Sequence, residues 1–238
     1  MEPVKLERPF FVVNPKSYLY GEDLLELARY TDALAERYDV QVLFTAQLID
    51  LPAVIAECPH LIPCAQYMES LTPGRGMGHV LPEALAAAGV KATFLNHAEL
   101  PLTVHELALT IQRAREVGIV TVVCADSVEE GRAIAQLHPD VMVCELNSLI
   151  GTGQVAGEDY MRGSTEAVKA ISPETLVLQA AGIHSGQNVY DAIMCGADAS
   201  GGTSGIVAAE DPHAVLDDMF AALDRARAEI AATIEAEG

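Results

Sequence analysis

VTVVCADSVEEGRAIAQLHPDVMVCE, residues Val120–Glu145, is the stretch whose reading decides the fold. It opens on one apolar run, Val120–Ala125, and closes on a second, Val141–Cys144. Short continuous apolar runs of this kind suit parallel strands covered on both faces. Between them Ser127–Leu137 has helical spacing, with Ser127 as N-cap and Glu130 three residues on, the pattern of a capping box. The unit reads strand, helix, strand, and such a unit joins parallel neighbours by a right-handed crossover.

The same alternation runs from end to end. Further strands are expected at Phe10–Asn14, Val40–Thr45, Leu61–Ala65, Ala92–Leu95 and Leu176–Gln179, with a weaker eighth at Ala197–Thr203. Glu22–Tyr38 carries Leu24, Leu25, Ala28, Leu34 and Ala35 on one helical face, and Val104–Val117 carries Leu107, Ile111 and Ala114. An amphipathic helix over Pro212–Ala232 is expected to complete the layer. A Rossmann-type open sheet carries a GxGxxG turn after its first strand, where this chain has NPKSYLYG. The GRGMG run at Gly74–Gly78 follows the third strand and lacks the downstream acid. No Pro-, Gly- or Ser-rich linker divides the chain. The expectation is a single TIM-type (β/α)8 barrel domain over residues 1–238.

Composition fits that expectation and excludes several functions. Half of the 238 residues are hydrophobic, Trp is absent and aromatics are scarce, so the core must be built from Val, Ile, Leu and Ala. The formal net charge of −20 gives no basic footprint for nucleic acid. No stretch approaches the roughly 18 apolar residues that a membrane span needs. The first residues, MEPVKLERPF, carry charge where a signal peptide has its apolar region, so a cytoplasmic protein is expected. Five widely spaced cysteines with no CxxC pair read as buried free thiols rather than a metal or disulfide framework. Any anionic substrate must be held locally, by backbone amides, helix N-termini and a well-placed lysine.

In a barrel the working residues sit where strands end and βα loops begin. The first strand ends in Asn14-Pro15-Lys16, and Lys16 is one of only four lysines. The fourth strand ends in Asn96-His97-Ala98-Glu99, placing an imidazole where it could shuttle protons. The sixth ends in Cys144-Glu145, and a carboxylate leaving an apolar run is partly desolvated, which raises its pKa toward a base's range. LNSLIGTG, Leu146–Gly153, follows at a length suited to a lid. Gly182 follows the seventh strand, and Gly201–Gly205 (GGTSG) the eighth; these two loops commonly hold a barrel's phosphate site.

NPKSY, TPGRGMGHVLPEAL, LNHAE, TVVCADS, ELNSLIGTG, AAGI and SGIVAAEDP together resemble the triose-phosphate isomerase family, especially its shorter archaeal-type members. The similarity covers nearly the whole chain. It implies Glu145 as the base that moves a proton between adjacent carbons, His97 as the shuttle on the two oxygens, and Lys16 as the cation facing an enediolate. Asn14 would position substrate and Lys16. Gly151, Gly182, Thr203 and Ser204 would offer amides to the phosphate, with Glu99 in support. The substrate would be a small phosphorylated sugar, and no cofactor or metal is implied. The family is oligomeric, so a homodimer or homotetramer is expected, with the loop Tyr67–Gly78 reaching a neighbouring subunit.

Three positions depart from the family pattern. Leu146 stands where a proline usually follows the glutamate, Leu100-Pro101 where arginine follows H-x-E, and Ala180 where a glycine is common. The first expectation is interconversion of dihydroxyacetone phosphate and glyceraldehyde 3-phosphate. The alternatives are a paralogue isomerising another small phosphorylated ketose, such as a four-carbon one, and a barrel that binds phosphometabolites without turnover.

Overall fold

The computed structural model describes residues 3–145 and 156–237. Among them, strands and helices alternate in chain order: β1 (Phe10–Val13), α1 (Gly21–Tyr38), β2 (Val42–Ala46), α2 (Leu51–Glu57), β3 (Leu61–Ala65), α3 (Pro82–Ala88), β4 (Ala92–Leu95) and α4 (Val104–Val117). The second half continues with β5 (Val120–Ala125), α5 (Val128–Ala135), β6 (Val141–Cys144), α6 (Glu158–Lys169), β7 (Leu176–Gln179), α7 (Gly186–Met194), β8 (Ala199–Gly202), α8 (Ser204–Val207) and α9 (Pro212–Glu237). The strands close in sequence order, all parallel, with β1 bonded to both β2 and β8. This is the (β/α)8 barrel.

Alternation along each strand divides the core into two shells. Phe10, Val12, Leu43, Ile62, Phe94, Val122, Val143 and Leu178 belong to the inner cluster, which fills the barrel. Phe11, Val13, Val42, Phe44, Val123 and Met142 point the other way and pack under the helices, against Leu24, Leu107, Ile111 and Phe220. The strands are therefore covered on both faces, which is why β1 and β6 in particular read as continuous apolar runs.

β3 to β7 and α4 have the bounds their apolar runs predict. The other edges differ for local reasons. β1 ends one residue early, at Val13, although the Asn14 amide still donates to the Gly202 carbonyl of β8 at 3.1 Å. β2 begins at Val42 rather than Val40, and β8 is confined to ASGG. On α1, Leu27 takes the fully buried place expected of Leu25, which is half-buried. α9 runs on to Glu237. The capping box expected at Ser127 is only half formed. Ser127 Oγ accepts from the Glu130 amide at 3.1 Å, but the Glu130 carboxylate accepts instead from the Asp126 amide at 2.7 Å and from Asn96 Nδ2 at 3.2 Å. The complete box lies at Thr103–Glu106, at the start of α4. All five cysteines are free and buried.

Candidate active site

A cavity of about 530 Å³ opens at the C-terminal ends of the strands, where the βα loops begin. Asn14, Lys16, His97, Glu99, Glu145, Gly182, Thr203 and Ser204 all line it. Residues far apart in sequence thus converge because each follows the end of a strand. The proposed lid, Leu146–Gly153, with Leu146 and Gly151, lies outside the described residues.

Lys16 is set by its own backbone. Its φ is +48°, and the turn is held by Asn14 Oδ1, which accepts from the Lys16 amide at 3.1 Å and from Thr45 Oγ1 at 2.5 Å. Gln66 Nε2 donates to the Lys16 carbonyl at 2.7 Å. The side chain, 16% exposed, then reaches across to Glu99 Oε1 at 2.8 Å. Glu99 is 64% exposed, so the pair adds little to stability. Its effect is to aim the ammonium group. The same hydrogen bond from Lys16 holds the Glu99 carboxyl below its ordinary range.

His97 follows Asn96, whose φ of +55° turns the chain out of β4. Asn96 stabilises that turn by accepting from the Leu102 amide at 2.9 Å and donating to the Cys124 carbonyl at 3.0 Å. The Glu99 amide donates to His97 Nδ1 at 3.1 Å. An imidazole nitrogen that accepts an N–H bond carries no proton, so the remaining proton sits on Nε2. Burial, and then the Lys16 charge, push the His97 pKa down despite the opposing pull of Glu99. The ring is therefore a neutral donor through Nε2.

Glu145 is the residue most altered by its surroundings. It is half-buried, anchored by its amide to the Ala125 carbonyl at 3.0 Å. Burial raises its carboxyl from the usual range to about 7, while Lys16 draws it partly back. A carboxylate poised near neutrality is suited to taking and returning a proton. Cys124 lies beside it, its thiol pushed well up by burial and by the Glu145 charge, so it remains an inert wall of the site.

The far end of the cavity is made by the loops after β7 and β8. Gly182 (φ +73°), Thr203, Ser204 and Gly205 line it. Ser204 and Gly205 begin the single turn of α8, where first-turn amides have no partner within the helix and can meet an anion. Gly205 has no room for a side chain: a Cβ there would come within 2.2 Å of the Ile183 carbonyl oxygen. Among the described lining residues, Lys16 is the one lysine or arginine. No group of three potential metal ligands occurs among the described residues. The sequence reading missed Tyr18, Cys124 and His184 as lining residues. His184 had a signal available, two positions after Gly182 in the same turn.

Comparison with known proteins agrees with this geometry. The family model described as Triosephosphate isomerase matches residues 9–207. A triosephosphate isomerase of Methanopyrus kandleri is 35% identical over 225 residues, covering 92% of this chain and 100% of the relative. One from Methanosarcina barkeri is 34% identical over 217 residues, covering 89% and 97%. That of Methanothermus fervidus is 30% identical over 220 residues, covering 90% and 99%.

Proposed function

The chain belongs to the triosephosphate isomerase family and is an isomerase of that type; from that premise we propose that Glu145, His97 and Lys16 carry the interconversion of dihydroxyacetone phosphate and glyceraldehyde 3-phosphate. The observation that carries the assignment of roles is the carboxyl of Glu145, raised to about 7 in the same cavity as a neutral imidazole and a fixed ammonium group.

The steps balance with these groups alone. The Glu145 carboxylate takes a proton from the carbon bearing the ketose hydroxyl. His97 Nε2–H donates toward the carbonyl oxygen as its charge grows, and Lys16 faces the resulting enediolate. Returning the Glu145 proton to the neighbouring carbon, with His97 exchanging the oxygen protons, completes the aldose. Asn14 and Glu99 act through Lys16, fixing its turn and its direction. Gly182, Thr203 and Ser204 bind the phosphate, with Gly151 from the segment beyond Glu145.

A coupled assay in both directions tests this, with Glu145→Gln beside the parent. The variant is expected to lose roughly a thousandfold in kcat while still binding phosphoglycolate. Retained turnover in Glu145→Gln would remove Glu145 from the role of base.

The protein is further expected to work as a cytoplasmic homo-oligomer, its whole chain acting as one barrel domain. Among the described residues no helix is long and apolar enough to cross a membrane. Tyr20, Ile49, Met77 and Leu100 stand exposed on the consecutive loops after β1, β2, β3 and β4. The β3–α3 loop that carries Met77 is clamped at its base, where Glu69 Oε2 accepts from the Val80 amide at 2.6 Å. Exposed apolar side chains on neighbouring loops, one of them braced, fit contact with a second copy of the chain.

A further inference from the structure

His184 joins the two loops that form the far end of the cavity. Its Nδ1 lies 2.7 Å from the Gly182 carbonyl oxygen. A carbonyl only accepts, so Nδ1 carries the proton and Nε2 keeps a lone pair. Its backbone presses on the opposite loop: a Cβ on Gly205 would come within 2.7 Å of His184 Cα and 2.9 Å of its Cβ. The residue is exposed and lines the same cavity as Lys16. Around it the loops offer neutral groups, from Gly182, Thr203, Ser204 and Gly205, in a chain of net charge −20. Lys16 is already tied to Glu99 at the catalytic end.

We propose that His184 is a phosphate-binding residue, its imidazole sharing a proton through Nε2 with a phosphate oxygen of the substrate. The assignment rests on the isomerase reading above and adds a side-chain contact to a site otherwise made of backbone. A phosphate monoester has its second pKa near 6, so its monoanion can supply the one proton that bridges Nε2 and a phosphate oxygen. That proton ends between Nε2 and oxygen, while Nδ1–H stays on Gly182. The other charged or titratable groups lining the same cavity are Lys16, Tyr18, His97, Glu99, Cys124 and Glu145. Asp218 of α9 bonds the Gly186 amide at 2.6 Å and so braces the loop from behind. The β8–α8 loop brings Thr203, Ser204 and Gly205, none of them charged.

Two substitutions separate binding from bracing. His184→Asn keeps an N–H near the position of Nδ1 and has nothing at Nε2; His184→Gln does the reverse. Calorimetry with phosphoglycolate on the full-length protein is expected to give a Kd about tenfold weaker for His184→Asn, the size of one charge-assisted hydrogen bond. His184→Gln is expected to bind several-fold tighter than His184→Asn, and the substrate KM values to follow the same order. Any other order, including equal affinities, overturns the assignment, and a tight Asn variant beside a weak Gln variant makes His184 only a loop brace. A parent protein that binds neither phosphoglycolate nor inorganic phosphate overturns the isomerase reading itself, and this proposal with it.

Discussion

A carboxyl group raised to about 7 changes its charge in the middle of the working pH range, so Glu145 should write its own signature on the kinetics. The base must be ionised, and kcat/KM is expected to fall on the acid side with an apparent pKa near 7. Lys16 is a cause of that position, because its charge opposes burial. Lys16→Met is therefore expected to move the acid limb to higher pH as well as to slow turnover, and a pH–rate profile of the residual activity reads both. Stability follows with the opposite sign. A carboxyl whose folded pKa is raised favours the native state while protonated, and the penalty appears as pH climbs from about 4.5 through 7. Glu145→Gln is expected to melt several degrees above the parent at pH 8 and level with it below pH 4.5. The residues behind this behaviour were legible because unusual types stood at strand ends: a rare lysine, a histidine and a glutamate leaving apolar runs. Their partners were not. That Glu130 would turn to Asn96 and the Asp126 amide, or that Glu99 would accept Lys16, depends on which loops meet in space.

At the level of elements, the weakest strand has the tightest joint. β8 reads ASGG, with none of the branched residues that mark its neighbours, and Gly201 sits opposite Val12 in the ladder. A Cβ on Gly201 would come within 2.1 Å of the Val12 carbonyl oxygen. Gly201→Ala must push β8 from β1 and is expected to cost at least about 2 kcal/mol in urea unfolding. Thr103→Ala, which removes the complete capping box of α4, is expected to cost about 1 kcal/mol. Long apolar strands and the periodic helices α1, α4 and α9 could be read directly. α2 and α3 could not, since seven residues opening on or beside a proline offer too few turns for a period to show. β8 was placed, but its ends were blurred by the small residues that let it lie close to β1.

For the molecule as a whole, charge is the dominant peculiarity. A net −20 places like charges over the helical shell, and their mutual repulsion weakens the folded state. Raising salt from 0.05 to 1 M shortens the Debye length to about 3 Å, and the melting temperature is expected to rise with it. Light scattering on the parent and on Met77→Asp is expected to show the variant shifted toward a single chain.

The seam between β1 and β8 also sets a clock on the making of the protein. Phe10–Val13 leaves the ribosome long before its second hydrogen-bonding partner, Ala199–Gly202. At about 5–20 residues per second the wait is roughly ten seconds or more. During that interval FFVV is an open, apolar edge, the kind of strand that invites foreign chains to pair. The growing polypeptide must either shelter that edge under α1 or hand it to a chaperone until the ring can shut.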